Sequence, residues 1–336
     1  MTEPVLVTGG GGVVGGALVR RLVYAGRRVR ALARSQASEY SLRAIGAETA
    51  RGDVLDLGSL ADAMRGCSTV FHVAGVNAMC LRDPIPMVRT NVEGSVNAIR
   101  AAAEAGVPRV VYTSSSSAIG EAHGTVGRED SSHRGTYLSA YERSKREGER
   151  RAFEVASELG VDVVAVNPSS VQGPGRATGS ARLLLEVANG RLPVLVDTTI
   201  SLVDIDDCAE GHVLAETRGT PGERYLLSGA TLTTREAVAL LERLWGLPRR
   251  VRFAPAWVAS AGGHAAWAGA RLLRRNAPVC PEAIRTLLHG HRYDGSKATR
   301  ELGLVYTSVE DTLLRTLEWY AERGLVAPAR PGRPEP

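Results

Sequence analysis

Cysteine is scarce in this chain and shows no pairing pattern. The four present, Cys67, Cys80, Cys208 and Cys280, are widely separated, with no CxxC. That excludes a cysteine-based metal module and predicts free thiols in a reducing cytoplasm, with no metal. Aromatic residues make up 5% and do not interleave with the scattered basic ones, and a net charge of +5 is mild at this length. A nucleic-acid partner is therefore not expected. The N-terminus enters a strand at once, without a secretory pattern. Long apolar runs are missing too. The nearest, "AWVASAGGHAAWAGARLL" (256–273), is Ala/Gly-rich and contains His264. It predicts a lid or core helix and no stable membrane insertion. Internal repeats are absent.

What is present is ordinary globular material: 336 residues, 44% hydrophobic and 23% charged. That is enough for a sizeable core in one large domain, or in a domain with a substantial second lobe. An apolar run at 5–8 and strand-like segments at 28–34, 46–54, 68–75, 108–116 and 161–168 alternate with helical segments at 13–26, 58–65, 86–106 and 139–159. Alternation at this spacing predicts an α/β fold, a doubly wound parallel sheet of Rossmann type covered on both faces. After residue 168 the rhythm loosens into short pieces at 201–216 and 223–229, then a helix at 233–246 opened by a Thr-Thr-Arg-Glu capping signature. The predicted division is a dinucleotide-binding part over 1–168 and a smaller C-terminal substrate-binding lobe over 169–326. Strands near 201–229 are expected to return to the sheet, and the Pro-rich end, 327–336, reads as a disordered tail.

The segment "TGGGGVVG" (8–15) sets Gly9, Gly12 and Gly15 between the first strand and the first helix. Glycine there lets the backbone turn tightly and approach a pyrophosphate, and the helix behind offers unpaired N–H groups and a positive dipole end. An NAD site usually has an acidic residue at the end of the second strand. This chain has Arg34 and then Ser35, with no carboxylate before Glu39. A 2′-phosphate carries a charge of roughly −1.5 to −2 and suits a guanidinium fork. NADP(H) is therefore favoured, with NAD(H) as the alternative. Asp53, in "RGDV", either receives the adenine amino group or caps the next helix.

The fifth strand ends in "YTSSSSAIG", and the next helix carries "SAYERSKREGE", with Tyr141 and Lys145 one turn apart on one face. Strand ends at the carboxyl edge of such a sheet are where ligands bind. A serine hydroxyl can therefore meet a phenol beside a nicotinamide. This constellation resembles the extended short-chain dehydrogenase/reductases, the NAD-dependent epimerase/dehydratase family. The likeness runs through "FHVAG", "TNVEGSVNAI", "VNPSSVQGPG", "LVDIDDCAEGH" and "DGSKATRELG". It implies that Ser115 orients the substrate carbonyl, with Ser114 or Ser116 taking the role if the register slips. It also implies that Tyr141 transfers a proton, Lys145 holds the nicotinamide ribose, and Asn91 supports a water relay. Cofactor contacts are implied for Val13 and Val14 after the glycines, and for Val54 after Asp53. Val73, Ala74 and Gly75 after the fourth strand, and Thr113 on the fifth, are implied likewise. Asn167, Pro168 and Ser170 complete that set.

Within the family the chain looks most like the dihydroflavonol-4-reductase and hydroxysteroid-dehydrogenase side, which includes bacterial relatives labelled hopanoid-associated sugar epimerases. Sugar-nucleotide members generally present an Arg to the diphosphate where this chain has Ile200 and Ser201, and no cation occurs from 192 to 217. Arg176 and Arg182 are the candidates to compensate. The loop "GVNAMCLRDP" after the fourth strand is mostly apolar, as a pocket for a flat or greasy molecule would be. The expectation is an NADPH-dependent reductase of a carbonyl on a hydrophobic or natural-product-like small molecule. The alternative is an NDP-sugar epimerase, dehydratase or reductase, and a redox-sensing binding protein is the reading without turnover. The resemblance also implies a homodimer through the helices bearing Asn91 and Tyr141, the first of which is rich in small residues.

Overall fold

The structure, a computed structural model, describes residues 3–247, 250–272 and 280–328. The first half alternates strictly. Its elements are β1 (Val5–Thr8), α1 (Val13–Tyr24), β2 (Val29–Ala33), α2 (Gln36–Ala44), β3 (Glu48–Arg51) and α3 (Leu57–Met64). They continue as β4 (Thr69–His72), α4 (Ile85–Glu104), β5 (Arg109–Thr113), α5 (Ala140–Leu159) and β6 (Asp162–Pro168). The second half is more broken. It holds β7 (Ser170–Gln172), α6 (Ala181–Ala188), β8 (Val194–Val196), β9 (Thr199–Asp204), α7 (Ile205–Arg218) and β10 (Arg224–Leu227). Then come β11 (Ala230–Thr233), α8 (Thr234–Trp245), β12 (Arg252–Ala254), α9 (Ala256–Leu272), α10 (Pro281–His289) and α11 (Val309–Glu322).

A seven-stranded parallel sheet runs in the order β10-β6-β5-β4-β1-β2-β3. Its strands bury both faces, so apolar residues alternate between two cores. Val5 and Val7 face the layer holding Leu18, Leu22 and Ala215, whereas Leu6 faces the layer holding Ile99, Ala102 and Val155. The strand order reverses between β1 and β4, and at that switch point the loops part to leave a crevice at the carboxyl ends. A third core of Leu240, Leu241, Trp245, Leu313, Leu317 and Tyr320 organises the C-terminal lobe.

Several expectations are corrected. α2 was not foreseen, because it buries only Leu42 and so lacks an apolar stripe; the Ser35 side chain caps it by accepting from the Ser38 amide. Of the strands near 201–229, β10 joins the main sheet, but β9 pairs instead with β11 and β7 in a separate three-stranded sheet. Residues 256–272 form α9, yet most of its described side chains are exposed, so it is not a core helix. No helix among the described residues is long and apolar enough to cross a membrane. The capping box at Thr233 and Glu236 is present. Of the expected disordered tail, residues 329–336 lie outside the described residues. The expectation of four free thiols fails for two. Cys80 and Cys280, separated by 200 residues, form a disulfide, while Cys67 and Cys208 are free and buried. Their separation in sequence hid the pairing, since only the tertiary fold brings the loop after β4 to the start of α10. The small residues of α4 serve a contact within the chain. Here α4 lies so close to α5 that a Cβ on Gly148 would stand 2.4 Å from the Asn91 backbone oxygen.

Candidate active site

The cofactor end of the crevice is made of backbone. Between β1 and α1 the chain turns through Gly9 at φ +70°, where a Cβ would stand 2.7 Å from the Ala74 nitrogen. At Gly15 a Cβ would meet the Gly9 carbonyl oxygen at 2.2 Å. Only glycine fits either place. Gly12 donates its N–H to the Gly9 oxygen at 2.9 Å and starts α1 without a side-chain cap or an acidic residue in the first turn. The amides at Val13 and Val14 are thus left for an anion, with the positive helix end behind them. These residues fit a dinucleotide pyrophosphate.

Arg34, one residue past β2, is exposed on the same crevice wall. The next carboxylate, Glu39, turns away to Arg43 and Arg51 at 3.7 and 3.4 Å. Asp53 also lines the wall, its Oδ1 accepting from the Leu55 amide at 2.9 Å. It does not cap α3. That cap is Asp56, which accepts from the amides of Gly58 and Ser59. Val54, Val73, Ala74 and Gly75 line the crevice between the two ends.

At the centre, β5 and α5 bring Ser115, Tyr141 and Lys145 together. Ser115 Oγ caps a short 3-10 turn over Ser116–Ala118 and takes a hydrogen bond from Ser117 Oγ at 3.0 Å. Among the neighbouring serines it is Ser115 that shares a side-chain hydrogen bond with Tyr141. Loss of water around the phenol raises the Tyr141 pKa above its ordinary value, against the opposing pull of that hydrogen bond and of the Arg176 charge. Lys145 Nζ donates to the Thr113 carbonyl at 2.8 Å and lies 5.1 Å from the centre of the Tyr112 ring. Burial lowers the Lys145 pKa to about 8, with the Glu149 charge opposing. Thr113 Oγ1 is paired with His212 Nε2 at 2.8 Å.

Two predicted residues sit behind this centre. Asn91 Oδ1 accepts from the Val76 amide at 2.7 Å, and its Nδ2 donates to the Val76 carbonyl and to Ser144 Oγ, each at 2.9 Å. Its side chain thereby braces the loop after β4 against α5. Asn167 is fully buried and lies behind the wall, where it donates to the Ser115 carbonyl at 3.1 Å and to Glu149 at 2.6 Å. It therefore holds the serine turn from below, which corrects the expectation of a direct cofactor contact. Pro168 and Ser170 do reach the wall.

Beyond Tyr141 the crevice opens into the C-terminal lobe, and the whole encloses about 1890 Å³. One small ligand needs roughly 300–1,000 Å³, so a cofactor and a substrate fit side by side. The far wall is apolar, with Leu183, Val187, Leu195, Leu241, Ile284 and Leu287. Arg176 stands out on it. It is 8% exposed, donates to Ser180 Oγ at 3.2 Å, and leaves its Nε without a partner. Arg182 is largely exposed and faces Glu186 at 3.5 Å. The His289 and His291 pair and Glu121, which the sequence reading passed over, close one side of the lobe.

The parallel sheet, the glycine cradle and the Ser-Tyr-Lys centre define a nicotinamide-dependent oxidoreductase of the extended short-chain dehydrogenase/reductase type. The chain belongs to the NAD-dependent epimerase/dehydratase family, whose pattern it matches over residues 5–228. It is 34% identical to a protein of Synechocystis sp. named for dihydroflavonol 4-reductase, covering 97% of each chain. It is 33% identical to sterol demethylase protein B of Methylococcus capsulatus, covering 96% of this chain and 99% of the other. Among solved structures it resembles DesIV, a dTDP-glucose 4,6-dehydratase from Streptomyces venezuelae with NAD and TYD bound. There the TM-score is 0.78 at 25% identity, over 96% of this chain and 99% of that one.

Proposed function

We propose that the protein is an NADPH-dependent reductase of a ketone on a hydrophobic, natural-product-like molecule. The observation that carries this reading is the apolar chamber opening directly beside the Ser115–Tyr141 pair. When bound in the glycine cradle, a reduced nicotinamide would supply the hydride that the carbonyl carbon needs. Ser115 donates a hydrogen bond to the carbonyl oxygen and holds it in line. Tyr141, kept protonated by its crowded surroundings, gives its proton to that oxygen as negative charge builds there. Lys145 holds the ribose, and its ammonium stabilises the phenolate left behind. Asn91, its side chain taken up by Val76 and Ser144, braces the loop after β4 beside Lys145 and has no side-chain group left for the expected water relay. Arg34 receives the 2′-phosphate and Asp53 the adenine amino group.

The names of two relatives, one for a dihydroflavonol and one for a sterol, support a largely apolar substrate. Arg176 and the likeness to a dTDP-glucose 4,6-dehydratase favour the second reading, a sugar-nucleotide enzyme. Against it stand Ile200 and Ser201 on β9, where a diphosphate would need a cation, and the engagement of Arg182 with Glu186. The deciding experiment sets steroid, flavanone-type and alkyl ketones beside UDP- and dTDP-sugars, following NADPH absorbance and product mass. NADPH consumption with an apolar ketone is expected. Conversion of a sugar nucleotide without net NADPH consumption, and no ketone turnover, would replace this reading with the second. We further take the chain to be a homodimer joined through the outward faces of α4 and α5. Light scattering that returned a monomer mass would discard the dimer.

A further inference from the structure

Behind the serine turn lies a second cluster that the reductase chemistry does not use. Glu121 leaves the turn after β5, and His289 and His291 flank the glycine that ends α10, some 170 residues later in the chain. The three donor atoms all lie within 4.8 Å of one another. Glu121 Oε1 stands 3.3 Å from His289 Nε2 and 2.6 Å from His291 Nδ1.

The side chains around them leave an obvious gap in charge. Glu121 is 2% exposed, and the only ion-pair partners of its carboxylate among the described residues are these two imidazoles. Arg134, the nearest guanidinium, spends its charge on Glu142 and touches only the Glu121 backbone carbonyl, at 3.1 Å. Glu121 Oε2 has no hydrogen-bond partner, and His289 Nε2, on a residue 8% exposed, is met only by Glu121 Oε1 at 3.3 Å. A buried polar atom without a partner is costly.

We propose that Glu121, His289 and His291 form a binding site for a divalent transition ion of the zinc class. Imidazole nitrogen and carboxylate oxygen are the donors such an ion prefers. Ligand bonds of about 2.0–2.1 Å at tetrahedral angles place neighbouring donors about 3.3 Å apart. The Glu121–His289 separation already has that value, and the Glu121–His291 pair must open by less than about 1 Å. His291 Nδ1 now lies 3.0 Å from the Tyr293 hydroxyl, a contact the ion would replace, and His123 Nδ1 fixes the backbone beside the site at the His289 carbonyl, 2.9 Å away. His291 and Tyr293 both line the crevice, which sets the cluster beside the substrate lobe.

Such an ion adds a further tie between the loop after β5 and the C-terminal lobe, which also meet through backbone bonds of Gly127 with Arg292 and Asp294, at 2.8 and 3.0 Å, and through the Arg128–Asp294 ion pair at 3.0 Å. Tyr293 also shares a hydrogen bond with Ser116, next to Ser115. Ion binding is therefore expected to alter substrate KM while leaving NADPH affinity unchanged.

The test uses the full chain, stripped with a chelator and titrated with Zn²⁺ against a chromophoric competitor. One zinc per chain is expected, with at least a tenfold weaker site in a His289→Asn/His291→Asn double variant. NADPH fluorescence reports whether that variant is folded. If it is not, X-ray absorption of the zinc-loaded wild type decides, with a shell of nitrogen and oxygen including two imidazoles expected. No stoichiometric zinc, unchanged affinity in the folded double variant, or sulfur in the shell would each overturn the site. Sulfur would move the ion to a reduced Cys80, Cys280 and Glu282 group instead. Every readout is metal binding itself, so failure here leaves the reductase reading standing, and the reverse.

Discussion

The cofactor half of the crevice is built from backbone, whereas the substrate half is built from side chains brought in by separate segments. In the first half, Gly9 and Gly15 are where they are because any Cβ would strike the neighbouring strand or turn. In the second, Leu183, Leu241 and Leu287 come from α6, α8 and α10, which have no contact pattern visible along the chain. Backbone sites depend on local geometry and tolerate few residues. Side-chain walls tolerate many, provided that volume is filled. The comparison teaches why cofactor chemistry can persist on one fold while substrates change.

The strongest way to break that contrast is at the centre where the halves meet. Tyr141→Phe should lower kcat by about 10²–10⁴-fold while NADPH titration stays close to wild type. Turnover near the wild-type level would remove the phenol from the chemistry. Lys145 tests whether the centre is held at a cost to folding. Its native pKa near 8 lies below the ordinary 10.5, a depression corresponding to about 3 kcal/mol, of which the hydrogen bond to Thr113 returns about 1 kcal/mol. Lys145→Met should therefore abolish turnover and stabilise the fold at neutral pH. The sign follows from proton binding. Between pH 8 and 10.5 the unfolded lysine holds more protons than the native one, so wild-type stability rises with pH through that window. The advantage of the Met variant should shrink across the same range in denaturant titrations. A variant less stable at pH 7 would contradict this. The pH profile of ketone reduction carries the matching signature, a decline above about pH 8 as the ammonium is lost.

Smaller effects separate the two ends. Arg34→Asp should shift the NADPH-to-NADH preference by about tenfold to a hundredfold, as expected for loss of a charge-assisted pair. An unchanged ratio would remove the 2′-phosphate assignment. Arg176→Gln should leave NADPH affinity alone and change substrate KM. An effect on the cofactor instead would mean that the substrate wall begins elsewhere. The smallest effect concerns the tether across the lobe. Under denaturing, non-reducing alkylation, Cys67 and Cys208 should label, with Cys80 and Cys280 following only after reduction. Labelling of all four without reductant would leave the loop after β4 untied.

Reading the chain in order recovered most of the first half. There most strands are single apolar runs and most helices after them carry a periodic stripe, so most elements announce themselves; β3, Glu-Thr-Ala-Arg, is not apolar. α2 escaped because its contact with the core is one leucine. The C-terminal lobe was legible only in part. The capping box of α8 is a three-residue signal and was visible, whereas the pairing of β9 with β7 and β11 depends on residues about 30 apart. At the site, Tyr141 and Lys145 share one helix and could be placed together from spacing. Asn167 could not be assigned, since whether it points at the crevice or beneath Ser115 depends on how Glu149 and Arg224 pack.

The order of residues alone pointed to the glycine cradle, the parallel sheet and the Tyr–Lys pair, because each is signalled within one strand or a few turns, although the sheet itself joins strands as distant in the chain as β1 and β4. Tertiary structure alone decided the Cys80–Cys280 bond, the isolation of Arg176 in an apolar wall, and the meeting of Glu121 with His289 and His291. These partners are separated by 100 to 200 residues or by three helices, and distance along a chain carries no information about distance in space once loops have closed.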